Sequence, residues 1–418
     1  MRTLVKRSLA VVLLLGSAAA GAASINITAS FSPSLSNPGN NTFTNTTAQS
    51  GFCSTWGTIC ANGSMFSINT RITTKSNADR IYIADANPKD HVFFQLPPAT
   101  NVEVKNVNTG SKHNVQFLFS AISARMYNVP SPGSGWGNSS FSYPQGGCSY
   151  VGSAVSNGIY YSFIWRISNK TSPSGCYKKR TSSNADISKA YMDAISIGYE
   201  LNTPSPLDME SGVYKGSITF SVGPNEEISF GNKWDASDTS LTINLTLTVN
   251  HELRVSFPAE DLKVNLQPCV PNKICTPEQG QINWERWITT RVTPQLTGRS
   301  NFSLSSSGEF SVYLQCEYKM ESMCAMKSSN DNQKVPVHTM LTLPSNVVNN
   351  KTGSSVVKEP IFIGKNSINA IFHTTTFGQN RSGHLDFLVK QRDVDTMLTT
   401  RPDTYSGAVT VIFDSNIY

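Results

Sequence analysis

Hydrophobic residues recur along most of this chain at every second position, in short runs that alternate with polar residues. Such alternation places apolar and polar side chains on opposite faces of a pleated strand, so it predicts β-strands rather than helices. Clusters of Gly, Pro, Asn and Ser separate the runs and predict turns. The predicted strands are 67–73, 80–83, 115–119, 160–167, 216–222, 241–249, 253–257, 310–315, 339–343, 361–363, 369–374, 384–389 and 408–413.

One stretch is ambiguous between a helix and a strand. From Ile187 to Ile195 the apolar residues have helical spacing, whereas from Ile195 to Tyr199 they alternate as in a strand. We expect a short helix that runs into a strand. The spacing and density of turns elsewhere are typical of β-sandwiches, so the predicted fold class is all-β, with sandwich domains.

A weak internal repeat bears on the number of domains. The segments 212–220 and 403–411 each contain a turn, a Tyr, a Gly and an alternating strand. The Gly would relieve the bend that enters the strand, and the Tyr would pack under the turn. A common strand-entry motif that recurs by chance is the alternative. The repeat favours two domains with similar late strands, 24–250 and 251–418, with a boundary near Asn250 and His251.

Length and composition agree with an exported β-rich protein. The chain has 418 residues, enough for two or three domains of ordinary size. Only 15% of the residues are charged, the net charge is +6, and 39% are hydrophobic. This composition argues against a helix-rich cytosolic enzyme, a coiled coil and an acidic disordered tail. It also argues against a nucleic-acid binder, in which Lys and Arg should cluster on one face.

The first residues predict export. Basic residues at 2, 6 and 7 precede an unbroken apolar run at 9–15, and Ala20-Gly21-Ala22 matches the small-x-small pattern of a cleavage site. The apolar run is too short to cross a bilayer core of ~30 Å. We therefore predict that residues 1–23 are a secretory signal peptide, cleaved after Ala22 or Ala23.

The cysteines predict disulfides in an oxidising compartment. The chain contains eight cysteines, at 53, 60, 148, 176, 269, 275, 316 and 324. Their spacing does not match a zinc knuckle, so disulfides are the favoured interpretation. We expect Cys53–Cys60 and Cys148–Cys176 in the first domain. In the second domain, where four cysteines allow three pairings, Cys269 and Cys275 are expected to cross to Cys316 and Cys324.

Several segments resemble a known family in order and in pattern. The segments are Thr242–Asn250, Leu253–Pro258, Val264–Pro268 and Tyr405–Phe413, downstream of a larger disulfide-stapled domain. This arrangement resembles the two-domain tip adhesins of bacterial chaperone–usher fimbriae, and most closely the alpha-class initiator adhesins of the colonisation-factor and cable-pilus type. The resemblance covers about residues 195–270 and the last strand, and elsewhere extends only to the architecture.

One departure from the family concerns the residues after the late adhesin strand. Some relatives carry a basic pair there, whereas this chain has Pro224-Asn225-Glu226-Glu227. The departure argues against the binding of anionic glycans in the manner of those relatives.

The resemblance implies a lectin-like adhesin domain joined to an incomplete immunoglobulin-like pilin domain that lacks its last strand. A periplasmic pilus chaperone, and then the next pilin subunit after the outer-membrane usher, would supply that strand by β-augmentation. Only five residues follow Phe413, too few for another ordinary strand. Val409, Val411 and Phe413 would border the donor-strand groove. The protein would pass through the periplasm to the fimbrium tip at the bacterial cell surface and bind a host glycan or glycoprotein.

Catalytic motifs are not evident in the sequence. The six His residues are scattered singly, and no GxSxG, HExxH or phosphate-binding loop occurs. We therefore predict no enzyme activity, no cofactor and no metal. A secreted β-sandwich polysaccharide hydrolase is an alternative and would need two carboxylates roughly 5–10 Å apart. Another is a secreted eukaryotic glycoprotein, suggested by sequons at Asn26, Asn45 and Asn62.

Glycan binding would need aromatic faces beside polar hydrogen-bonding groups on the surface. Trp56 lies inside the Cys53–Cys60 loop, and three other residues share one loop. A basic run beside Cys176 is the third candidate, although such runs also occur as solvated surface patches, and Trp residues often pack in cores. The loop candidates are Trp136, Asn138 and Tyr143, and the run is Tyr177, Lys178, Lys179 and Arg180.

Overall fold

A computed structural model of the chain describes residues 21–34, 41–63, 65–129, 136, 143–151, 155–156, 160–365 and 370–415. Most of the signal segment predicted at 1–23 lies outside these residues. The described chain is nearly all β, and it forms two β-sandwiches, as the alternation of apolar positions predicts. None of the helices within the described ranges is long and apolar enough to cross a membrane.

The first sandwich is built from strands that end at Val249. Its strands are β1 (Ala22–Phe31), β2 (Thr44–Asn45), β3 (Phe66–Asn69), β4 (Thr74–Ser76), β5 (Arg80–Ile81), β6 (Val92–Phe94), β7 (Thr100–Asn106), β8 (Lys112–Tyr127), β9 (Gln145–Gly146), β10 (Cys148–Tyr150), β11 (Val155–Ser156), β12 (Tyr160–Ile167), β13 (Cys176–Lys178), β14 (Ala185–Asp186), β15 (Tyr191–Asn202), β16 (Gly212–Ser221), β17 (Trp234–Ala236) and β18 (Ser240–Val249). A short helix, α1 (Phe52–Thr55), precedes β3.

Most of these strands belong to one large sheet that curls over its own core. In this sheet β17, β4, β15, β8, β7, β16, β18, β1 and β2 are neighbours in that order. β15 pairs along one edge of β8, whereas β7 and β12 pair with successive halves of its other edge. The long strand β8 therefore connects the two halves of the sandwich.

The pair formed by β1 and β18 shows how the alternating pattern makes the core. The two strands run parallel, and Ala22 pairs with Ser240 while Phe31 pairs with Val249. Alternate residues of both strands are buried and the residues between them are more exposed. A shift by one residue would turn every apolar side chain to solvent, so the register is fixed by burial.

The second sandwich follows, between Leu253 and the end of the described chain. Its strands are β19 (Leu253–Ser256), β20 (Gln267–Cys269), β21 (Gln295–Ser306), β22 (Glu309–Cys316), β23 (Tyr318–Met320), β24 (Met323–Ser328), β25 (Lys334–Thr342), β26 (Val347–Asn349), β27 (Glu359–Ile361), β28 (Ile371–Thr374), β29 (Gly378–Val389), β30 (Tyr405–Ser406) and β31 (Val409–Asp414). It also contains two helices, α2 (Pro277–Thr290) and α3 (Gln391–Met397).

Two sheets face each other in this second sandwich. One has the order β19, β21, β29, β25, β24, β23, and the other has the order β26, β28, β22, β31. Phe302 and Leu385 of the first sheet and Phe310, Leu314 and Phe372 of the second are buried in a single core. These residues come from the alternating apolar positions of their strands.

Four disulfides hold these elements. Cys53 is bonded to Cys60 and Cys148 to Cys176, as expected. In the second sandwich, each cysteine is bonded to the cysteine nearest to it in the sequence, because a short connecting segment brings the two cysteines of each pair together. The expected crossing is therefore wrong, and the bonds are Cys269–Cys275 and Cys316–Cys324.

The stretch 187–199, which was ambiguous between a helix and a strand, forms a turn followed by a strand and contains no helix. Ile187 and Ala190 belong to the turn before β15, and β15 then runs from Tyr191 to Asn202. The pairing register of β15 shifts between Asp193 and Ser196, where Ala194 has a φ of 48°. This bulge changes the alternation of side chains, and it explains why the apolar spacing imitates a helix.

Candidate functional site

Two strands of the second sandwich leave an edge unpaired within the described chain. β31 is the last strand of its sheet and pairs only with β22, from Ser311↔Asp414 to Cys316↔Val409. β19 is the last strand of the facing sheet and pairs only with β21. A free sheet edge presents backbone N–H and C=O groups that can pair with an additional strand.

An open groove lies beside these free edges, and we call it the edge groove. Its volume is about 400 Å³, and it extends from the segment after β19 to β31. Leu262 at its rim is 73% exposed. The apolar lining residues are Phe257, Leu262, Val264, Leu266, Met326, Val337, Leu385, Phe387, Val409 and Val411.

The three residues predicted to border a donor strand lie at or beside the edge groove. Val409 and Val411 line it and are half-buried. The ring of Phe413 lies 5.4 Å from that of Phe302, which in turn lies 5.4 Å from that of Phe257. The half-buried rings of Phe257 and Phe413 thus lie on either side of the buried ring of Phe302 in the core.

The far wall of the edge groove is fixed by contacts to β21. The backbone N–H of Asn301 donates a hydrogen bond of 2.7 Å to Asp261, and the Ser300 hydroxyl donates one of 2.8 Å to the Asp261 carbonyl. Gly298 permits this packing, because a Cβ atom there would lie 2.5 Å from the Val264 side chain. The segment that carries Leu262 and Val264 is thus held in place beside the open edge.

Three of the predicted receptor residues face the interior of the first sandwich. Trp136 is 1% exposed, and its ring lies 4.7 Å from the Arg180 guanidinium carbon. Arg180 also donates a hydrogen bond of 2.7 Å to the Ser183 carbonyl, and Lys178 donates one of 2.8 Å to the Tyr143 carbonyl. Burial lowers the pKa of both basic side chains. The expectation that Trp136, Lys178 and Arg180 form an exposed receptor site is corrected by their burial.

Three of the remaining predicted receptor residues lie close to one another, because Tyr177 of β13 pairs with Gln145 of β9, two residues from Tyr143, and Lys179 follows in the chain. Tyr143 is exposed and stacks on Tyr150 at 4.8 Å, while Lys179 lies 6.0 Å above the Tyr177 ring. Trp56 follows α1 and is half-buried. Asn138 lies outside the described residues. The structure brings together Trp136 with Arg180, and Tyr143 with Lys178, through the pairing of β13 with β9, whereas Trp56 belongs to the separate segment after α1.

The junction between the sandwiches contains a second cavity, of about 330 Å³. His251 lies in it, and its Nε2 atom is 2.8 Å from the Met209 carbonyl while its Nδ1 atom is 3.2 Å from the Ser307 hydroxyl. Burial lowers the pKa of His251. The residue after the first sandwich therefore contacts both sandwiches as a neutral imidazole.

Metal chemistry has little support in the described part of the chain. No group of three or more His, Cys, Asp or Glu side chains there is arranged to hold a metal ion. The site with the clearest chemistry is the edge groove, which offers backbone pairing and an apolar surface.

Comparison with known proteins gives structural similarity only. No protein-family model and no curated protein matches the chain in sequence. One similar structure is CfaE, the adhesive subunit of CFA/I fimbria of enterotoxigenic Escherichia coli, with 10% identity, a TM-score of 0.24, and coverage of 94% of this chain and 92% of that chain.

A second similar structure is the CsuC–CsuE chaperone–tip adhesion subunit pre-assembly complex from archaic chaperone–usher Csu pili of Acinetobacter baumannii. It has 11% identity, a TM-score of 0.22, and coverage of 94% of this chain and 99% of that chain. Both similar structures contain fimbrial tip adhesins. Their sequence identity to this chain is low, and their structural overlap with it is coarse.

Proposed function

We propose that the chain is the tip adhesin subunit of a chaperone–usher fimbria, with a receptor-binding domain at 24–250 and a pilin domain at 251–418. The observation that carries this proposal is the edge groove, an apolar groove beside the free edges of β19 and β31. In an isolated protein this arrangement is unfavourable, because the groove leaves apolar surface in water and the free edges leave backbone groups unpaired.

A donor strand supplied by another protein would satisfy both requirements. Its backbone would pair with β31, and its alternate side chains would fill the space between Val411 and Leu262. In this proposal a periplasmic chaperone inserts the first donor strand, and the next pilin subunit replaces it at the outer-membrane usher. The four disulfides agree with passage through an oxidising compartment.

The proposal is tested by supplying a donor strand in the same chain. A peptide of alternating apolar residues, fused after Tyr418 through a flexible linker, would face the edge groove at an effective concentration of about a millimolar. We expect a soluble monomer with a higher unfolding temperature than the unfused chain, which should aggregate. The matched control is the same peptide with its alternation scrambled, which should give no benefit because its side chains turn to the wrong face.

The unfolding of the unfused chain can overturn the proposal. If the unfused chain is monomeric and unfolds as cooperatively as the fusion, the second sandwich is complete without a donor strand. The pilin role would then be rejected.

A further inference from the structure

Three neighbouring strands of the first sandwich carry a row of tyrosines across the outer face of the sheet. Tyr127 of β8 pairs with Tyr191 of β15 on one side and with Tyr160 of β12 on the other. The Tyr127 and Tyr191 rings are stacked, with centroids 4.5 Å apart, and the Tyr160 ring lies 5.2 Å from Tyr127. Tyr191 is 37% exposed, so the row offers an aromatic surface to solvent.

The next row on the same face is polar. Arg125 pairs with Asp193 and with Ser162, two residues along each strand from the tyrosines. Its Nε and Nη2 atoms donate hydrogen bonds of 2.7 and 2.9 Å to the Asp193 carboxylate. Its guanidinium carbon lies 5.3 Å from the Tyr127 ring and 5.2 Å from the Tyr160 ring. The arginine is thus fixed beside the aromatic row, and its charge is balanced by the carboxylate.

A cavity of about 250 Å³ lies between these rows and the α1 segment. Tyr160 and Arg125 line one side, and Trp56, Thr55 and Asn69 line the other. Among the described residues that line this cavity, Arg125 is the only one with a charged side chain. The cavity therefore combines aromatic faces with hydroxyl, amide and guanidinium groups and carries little net charge.

The α1 segment is held rigidly against the sheet. The Cys53–Cys60 disulfide closes it, and the Cys53 N–H donates a hydrogen bond of 2.8 Å to the Ser67 hydroxyl. Gly51 has a φ of 73°, and a Cβ atom there would lie 2.5 Å from the Cβ atom of Ser196. The wall that carries Trp56 is consequently preorganised, which favours the binding of a weakly interacting ligand.

The cavity lies at the end of the first sandwich remote from the second. β8 starts at Lys112, which lines the junction cavity, and it ends at Tyr127. Its 16 residues span about 50 Å at ~3.3 Å per residue. A ligand in this cavity would therefore meet the protein near the end of β8 that lies away from the junction.

We propose that this cavity binds the neutral, unsialylated hexose end of a surface glycan, an inference that rests on the adhesin role proposed above. The apolar face of a pyranose ring would pack on Tyr160 and Trp56, and its hydroxyl groups would bond to Arg125, Thr55 and Asn69. A sialylated end is disfavoured, because Asp193 already engages Arg125 and no second cation lines the cavity to compensate a carboxylate.

The test uses the full mature chain. It is prepared with or without the fused donor peptide, and the form that is monomeric is used. An array of neutral hexose-ended oligosaccharides and their sialylated counterparts is probed first, and the affinity for the best ligand is then titrated. We expect binding to neutral ends only. Tyr160→Ala should weaken binding about tenfold, as the loss of one aromatic contact implies, whereas Tyr150→Ala, which removes a tyrosine outside the cavity lining, should not.

A second variant pair does not depend on the tyrosines. Thr55 is exposed and lines the cavity, so Thr55→Trp should fill the cavity and abolish binding. Thr58→Trp, also exposed but outside the cavity lining, is its control and should bind normally. Asp193→Asn should release Arg125 and admit sialylated ends.

Two results would overturn this inference. They are an array without glycan binding, and glycan binding that Thr55→Trp and Tyr160→Ala leave unchanged. Its failure is distinct from that of the adhesin role, because donor-strand stabilisation is measured separately by thermal unfolding. Stabilisation without glycan binding rejects this cavity alone, whereas glycan binding without stabilisation rejects the pilin assignment alone.

Discussion

His373 of the second sandwich reaches across the junction to Asp208 of the first, with 3.7 Å between its Nε2 atom and the Asp208 Oδ1 atom. The Nδ1 atom of the same imidazole lies 3.7 Å from the Glu309 Oε1 atom. The interaction with the Glu309 carboxylate, followed by the charge of Asp208, raises the pKa of His373 above its ordinary value of 6.5. A protonated His373 therefore stabilises the contact between the sandwiches.

This contact predicts a pH-dependent stability. Because the folded pKa of His373 is raised, its contribution is complete below about pH 6.5 and is lost as the pH rises through the folded pKa. Unfolding temperatures of the full chain and of His373→Gln, measured from about pH 5 to about pH 9, should converge at the alkaline end. Glu309→Gln should remove more of the effect than Asp208→Asn. Parallel curves for the full chain and His373→Gln would contradict the prediction.

His251 is expected to act in the opposite sense. Burial lowers its pKa, so its contribution is complete above about pH 6.5 and is lost as the pH falls through the folded pKa. The two contributions are separated by comparing His373→Gln with His251→Gln in the same buffers.

The edge groove predicts the effect of a single charge. Val411 lines the groove and is half-buried, so Val411→Asp should place a carboxylate where the donor side chain packs. We expect the fused donor strand to lose its stabilising effect, because an unpaired charge is costly to bury. Thr352→Asp is the control, since Thr352 is exposed and does not line the edge groove, and it should retain the effect. Equal stabilisation of the two variants would contradict the proposed position of the donor strand.

The Arg299–Asp386 pair predicts a larger loss of stability than an ordinary surface ion pair. Asp386 is 1% exposed on its side chain and accepts hydrogen bonds of 2.6 and 3.0 Å from Arg299. Arg299→Met would leave the buried carboxylate without its hydrogen-bonded arginine, with His384 Nε2 3.8 Å from its Oδ2 atom, and it should cost about 2–3 kcal/mol of unfolding free energy. The double variant Arg299→Met with Asp386→Leu should recover most of this loss in denaturant unfolding. The prediction would be contradicted if Arg299→Met lost no more unfolding free energy than the double variant. Water would then compensate the buried carboxylate.

Gly51 predicts a local packing defect. Its left-handed φ and the short distance from a new Cβ atom to Ser196 mean that Gly51→Ala should destabilise the first sandwich by about 1–3 kcal/mol. Gly57→Ala is the control, because a Cβ atom at Gly57 meets nothing within 4 Å. Denaturant unfolding compares the two variants. Equal free energies of unfolding would show that the α1 segment moves away from Ser196 without cost.

Much of the fold could be predicted from alternation alone. The predicted strand 241–249 is β18, and the predicted strand 310–315 lies within β22. Both have apolar residues at every second position that face a core. The helix α2 was not predicted, although Thr276, Pro277 and Gln279 form a capping box with a proline at the first turn. That signal is local and could have been found in the sequence.

The receptor residues were less predictable, because their exposure depends on tertiary packing. A Trp in a Gly- and Ser-rich loop gives no sign that it packs on a buried arginine, as Trp136 does on Arg180. The row of Tyr127, Tyr160 and Tyr191 was missed for a different reason. These residues are neighbours only through the registers of three strands, and those registers cannot be read from any one segment.

The parallel pairing of β1 with β18 has a mechanical consequence. The chain leaves the first sandwich at Asn250, directly after β18, so tension between the two sandwiches pulls β18 along its own axis. β18 is held on both sides over ten paired residues, from Ala22↔Ser240 to Phe31↔Val249 with β1 and from Gly212↔Val249 to Ser221↔Ser240 with β16. Axial tension shears these ladders, so many hydrogen bonds must break together rather than one after another. A first sandwich built in this way resists extension at the point where a tether would load it.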